Sequence, residues 1–188
     1  MSSEKKMSAS GIIDALKRMP TDFGFVDKTG VEHPMNLELL IGWSDYFRNV
    51  VRDERKIYRI DVAPELVNHL CEYLYGAELN IMEFANALDF KDLFIMYDNA
   101  KLMMLDEYEK FIYSVLFTSF DGSVEFFFMA AERDMKLLSD QSIVIILSAL
   151  SVSQPGARDP LFYKNMKSSI QNLSPEQSKQ LLLKMTNI

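Results

Sequence analysis

The run Ile57-Tyr58-Arg59-Ile60-Asp61-Val62-Ala63-Pro64-Glu65-Leu66-Val67-Asn68-His69-Leu70-Cys71-Glu72-Tyr73-Leu74-Tyr75-Gly76 decides the fold class. Its opening, Ile57 to Val62, is rich in β-branched and aromatic residues, the side chains that fit a pleated, half-buried surface, and it predicts a strand. Pro64 then stands at a first helical position, where a missing N–H costs nothing. Leu66, Val67, Leu70, Cys71 and Leu74 recur on one helical face, and Gly76 is placed to end the helix. Strand followed directly by amphipathic helix requires a mixed fold.

Working outward toward the amino terminus, Phe23 to Val26 and Val31 to His33 predict two short strands around Asp27-Lys28-Thr29-Gly30. Gly30 supplies the positive φ that a tight hairpin needs. Asn36 to Trp43 and Ser44 to Arg52 carry apolar residues at helical spacing, with Gly42 bending the path between two short helices. Further upstream, Ser10 caps a short helix whose face carries Ile12, Ile13, Leu16 and Met19, and Pro20 stops it. One apolar stripe cannot hold so short a helix by itself, so the helix must dock on something.

Toward the carboxyl terminus, Leu79 to Met82 reads as a short extended segment, and Asp89 caps a helix from Phe90 to Lys101. Another helix starts near Asp106. After Phe117 the pattern is wholly helical, with Phe126 to Ala131 and Ile143 to Leu150 as apolar helices parted at Leu137 to Asp140. Ser153-Gln154-Pro155-Gly156 marks a loop, and Ser174-Pro175-Glu176-Gln177 is a capping-box start for a last helix through Met185. Strands early and helices late give an α+β unit followed by an all-α extension. The expected division is a disordered 1–8, a mixed domain over 9–116 and a helical extension over 117–188.

The chain has 188 residues, 48% hydrophobic and 25% charged, enough to bury a core without disulfides. Its one cysteine, Cys71, has no partner within the chain and suits a reducing compartment. A net charge of −7 opposes a general grip on phosphates, and the densest basic stretch, Arg52-Asp53-Glu54-Arg55-Lys56, is interleaved with acids as a solvated loop is. Nucleic acid is therefore not an expected partner. Met1 to Ala9 has no apolar signal core, and Ile143 to Val152 is about half the roughly 20 residues of a spanning helix. A cytoplasmic or nuclear location, away from membrane, is the expectation.

Chemistry is sparse. His33 and His69 are the only histidines, read as an exposed hairpin residue and a helix-surface residue, and neither stands at metal-ligand spacing. Cys71 lies in an apolar stripe, with His69 turned to another side of the helix, so a buried structural thiol is expected rather than a nucleophile. There is no glycine-rich phosphate loop and no nucleophile elbow. Neither enzyme activity nor a cofactor is expected. Met96, Met103 and Met104 are read as core fillers, with an adaptable binding face as the alternative. Phe126, Phe127 and Phe128 are read mainly as core, with a helix-binding groove as the alternative.

Three segments together resemble a BTB/POZ domain. Glu32-His33-Pro34-Met35-Asn36 with Leu40-Ile41-Gly42-Trp43-Ser44-Asp45-Tyr46-Phe47-Arg48 is similar to the family's strand-to-helix passage ending in Ser-x-Tyr-Phe-Arg. Ile60-Asp61-Val62 through Glu72-Tyr73-Leu74-Tyr75-Gly76 resembles the strand and helix that close on Tyr-Leu-Tyr-Gly, and Asp92 through Lys101-Leu102 to Glu109-Lys110-Phe111-Ile112 resembles its final helical pair. The tail is compatible with a BACK-like extension. The resemblance implies a small sheet flanked by a helical cluster and a homodimer built from the first helix and the helix after the second strand. The dimer residues here would be Ile12, Ile13, Leu16 and Met19 with Leu37, Leu40 and Ile41.

A scaffold or adaptor that binds itself and other proteins follows, and a substrate adaptor for a cullin-based ubiquitin ligase is the alternative. Tyr46, Phe47, Val50, Val51, Arg52 and Tyr108 are the residues a partner would meet. The sequence departs from the family in two places. Met35-Asn36-Leu37 replaces an Ala-His-Arg element beside Asp22, removing the basic member of a co-repressor groove. The loop Val50 to Lys56 lacks the hydrophobic-x-Glu triplet of cullin binders.

Overall fold

A fully buried strand and an alternating one build the sheet. β1 (Phe23–Val26) and β2 (Glu32–Met35) pair antiparallel, Phe23 opposite Met35 and Val26 opposite Glu32. In β2, His33 and Met35 turn inward while Glu32 and Pro34 face solvent. Gly30 closes the hairpin at φ +88°, and its N–H reaches the Asp27 carbonyl at 3.0 Å. β3 (Ile57–Arg59) adds in parallel on the other side of β1, giving the order β2-β1-β3. The computed structural model describes residues 15–52, 56–78, 89–118, 123–151 and 160–186.

The expected strand over Ile57–Val62 is shorter as a ladder. Its remaining residues still bond to the hairpin: Ile60 N–H reaches the Val26 carbonyl at 2.8 Å, and Lys28 N–H reaches that of Val62 at 3.1 Å. A parallel partner needs a crossover, which two helices supply here. α1 (Leu37–Trp43) is capped by Asn36, whose Oδ1 accepts the Leu39 N–H at 2.9 Å, and α2 (Asp45–Arg52) follows. The first positions of the expected 50–56 loop, through Arg52, are helical.

α3 (Pro64–Leu74) buries Leu66, Val67, Leu70 and Leu74, and Gly76 ends it at φ +89°. α4 (Phe90–Leu102) starts at Asp89, whose carboxylate accepts the Lys91 N–H at 2.9 Å, and it packs along α5 (Asp106–Thr118). Phe23, Phe25 and Phe47 meet edge to face at centroid distances of 5.3 to 6.3 Å, a geometry that adds about 1 kcal/mol per pair to simple burial.

The chain divides into two units, Met1–Ser119 and Phe120–Ile188. The first unit is α+β. The second, in its described residues, is all helix: α6 (Val124–Glu132), α7 (Lys136–Ser151), α8 (Pro160–Gln171) and α9 (Pro175–Met185). The break between α6 and α7 falls at Arg133–Met135 rather than Leu137–Asp140, because Asp134 adopts φ +55° and turns the chain there. Val124, Phe127, Phe128, Ile143, Ile146, Met166 and Leu181 form this unit's core. The capping box is formed in full: Gln177 N–H to Ser174 Oγ at 3.2 Å and Ser174 N–H to Gln177 Oε1 at 3.1 Å. The expectations for Met1–Ser8, Leu79–Met82 and Ser153–Gly156 lie outside the described residues.

Candidate functional site

The histidine expected at the hairpin surface is buried. His33, 8% exposed, sits between Asp27 Oδ2 at 2.9 Å and Asn68 Oδ1 at 2.8 Å. The other Asp27 oxygen accepts Thr29 N–H at 2.8 Å, Thr29 Oγ1 at 2.6 Å and Val31 N–H at 3.1 Å. Burial pushes this carboxyl up, but the hydrogen bonds from Thr29, His33 and the Val31 backbone outweigh it and hold the group well below its usual range. The Asp27 bonds close the hairpin on itself, and the His33–Asn68 bond pins it to α3. The cluster is a structural clip.

Cys71 is no better suited to chemistry, since burial pushes its thiol up to about 12 and so keeps it protonated at neutral pH. Among the described residues no group of three or more His, Cys, Asp or Glu could hold a metal ion, and no helix is long and apolar enough to cross a membrane.

The expected dimer residues fare unequally. Ile12 and Ile13 lie outside the described residues. Leu16, Leu37 and Ile41 are half-buried and Met19 is 39% exposed. The segment that carries Leu16 and Met19 is tied to the start of α1 by two hydrogen bonds. Asn36 Nδ2 donates to the Pro20 carbonyl at 2.8 Å, and Leu37 N–H donates to Asp22 Oδ1 at 2.8 Å. Leu40 is fully buried in its own unit and cannot reach a partner.

Of the residues assigned to partner contact, Tyr46 is half-buried. Phe47 and Tyr108 are fully buried: Phe47 packs on Phe23 and Phe25, and Tyr108 against Tyr73 and Phe111. Both are core residues, a correction that only the tertiary packing supplies. Val50, Val51 and Arg52 form the last turn of α2, and nothing further of their side chains is described.

A second surface emerges that the sequence reading missed. Ser44 Oγ donates to the Met103 carbonyl and accepts the Tyr46 N–H at 3.0 Å, locking the α1–α2 corner to the end of α4. Trp43 thereby stands beside Met104. Its indole N–H donates to the Leu74 carbonyl at 2.7 Å, and its ring lies 5.2 Å from that of Tyr73. Trp43, Tyr73, Met104, Leu105, Asp106 and Glu107 line a cleft of about 220 Å³. Met103 fills the core as expected, but Met104, at φ +55°, is 59% exposed and belongs to this cleft. Searches of protein-family models and of curated proteins find no match to the chain.

Proposed function

We propose that the chain is a protein–protein interaction adaptor of BTB/POZ type, self-associating through the face that joins Leu16 and Met19 to Leu37 and Ile41. The observation that carries this reading is the double tether of Asn36 to Pro20 and of Asp22 to Leu37. It ties the segment that carries Leu16 and Met19 to the start of the helix that carries Leu37 and Ile41, and all four side chains are at least partly open. A twofold pairing would cover the same patch on each copy, and fully burying one such side chain contributes about 1.5–3 kcal/mol before association costs. The cleft at Trp43 and Met104 offers a second class of partner an aromatic wall with a carboxylate rim. Binding rather than catalysis is also favoured by a high Cys71 pKa and by a His33 whose ring nitrogens are both engaged.

The test is sedimentation velocity at about 10 µM, a concentration that populates contacts of micromolar affinity. Met19→Asp combined with Ile41→Asp is expected to lower the particle mass while leaving the far-ultraviolet circular dichroism unchanged. A wild-type chain whose mass the pair of substitutions does not alter would end this reading.

A further inference from the structure

We propose that the helical unit carries its own self-association surface, the groove between α6 and α9, which takes α9 of a second copy. Both helices pack on α7. Between them lies a groove of about 310 Å³ lined by Phe127, Phe128, Ala131 and Glu132 from α6 and by Gln180, Leu183 and Lys184 from α9.

The occupant follows from what stands beside the groove. α9 carries three consecutive leucines; Leu181 is buried in the unit's core, while Leu182 and Leu183 are 60% and 54% exposed. One helix thus bears both a wall of the groove and an apolar ridge. A twofold axis alongside α9 sets the ridge of each copy into the groove of the other, and one contact satisfies both.

Charge selects the same partner. Glu132 stands on one wall and Lys184 on the other, and neither makes an ion pair among the described residues. An isologous contact sets Lys184 of each copy against Glu132 of its mate and leaves no net charge at the groove. Aromatic floor, leucine ridge and opposed charges together describe a surface complementary to itself.

This inference is independent of the amino-terminal face, and the experiment separates the two. In full-length chain carrying Met19→Asp and Ile41→Asp, the groove contact alone should give a dimer at about 10 µM in low salt. Leu183→Glu, at an exposed position, should reduce that dimer to monomer with an unchanged circular dichroism spectrum.

Glu132→Lys alone and Lys184→Glu alone should each raise the dissociation constant by at least roughly tenfold, because the twofold turns both charge pairs into like-charge contacts. Mixing the two single variants should restore association, because each mate then supplies the charge that the other lacks. A monomer in that background, or a mass indifferent to Leu183→Glu, overturns the proposal and leaves the groove to a different protein. Single variants that remain weak after mixing overturn it equally, since the charges would then not meet across copies.

Discussion

Tyr108 offers the sharpest check on the first unit, because its hydroxyl breaks a rule of protein interiors. The side chain is fully buried, and its OH has no hydrogen-bond partner among the described residues. Burial pushes its pKa well above the ordinary value. A desolvated, unbonded hydroxyl costs roughly 1–3 kcal/mol. Tyr108→Phe removes that oxygen and keeps the ring that packs 4.8 Å from Tyr73 and 5.8 Å from Phe111, so the space it leaves is about one atom. The variant should therefore gain about 1 kcal/mol, equivalent to a rise of about 3–5 °C in the unit's melting temperature. The chain's only tryptophan, Trp43, packs on Tyr73 in this same unit, so urea titration followed by its fluorescence reports on the first unit alone. A loss of about 1 kcal/mol instead would mean that the hydroxyl is bonded, and the reasoning fails.

Two further outcomes concern buried acids and thiols. Asp27 has its folded pKa lowered below the ordinary 3.8, so its contribution is complete above that value and lost as pH falls through the folded one. Urea midpoints measured from pH 5 downward should fall more steeply in wild type than in Asp27→Asn, which starts less stable; parallel profiles would remove the clip from the account. Cys71, pushed up to about 12, should react with iodoacetamide at pH 8 far more slowly in native than in urea-unfolded chain. Equal rates would show the thiol to be open.

What was legible in the sequence was whatever a few neighbouring residues decide. Gly30, Pro64, Gly76 and the Ser174–Gln177 box each announce themselves within a turn, and each stands where the sequence puts it. The clip at His33 was not legible, since Asn68 lies 35 positions away and no local pattern couples the two. The same holds for the cleft. Trp43 and Met104 meet only because Ser44 bonds to Met103 across 59 positions, and the sequence cannot say which of two adjacent methionines turns outward. The Arg133–Met135 break was misplaced for a different reason. No glycine or proline marks it, and an aspartate takes the positive φ instead.

The hairpin's register also governs how the protein can meet others. Gly24 donates its N–H to the Lys56 carbonyl, so that residue's backbone faces the β3 side, and Pro34 opposite it must direct its ring nitrogen outward. A foreign strand arriving along that flank would seek a row of donors and find a missing rung at Pro34. Sheet extension is thereby discouraged on that border.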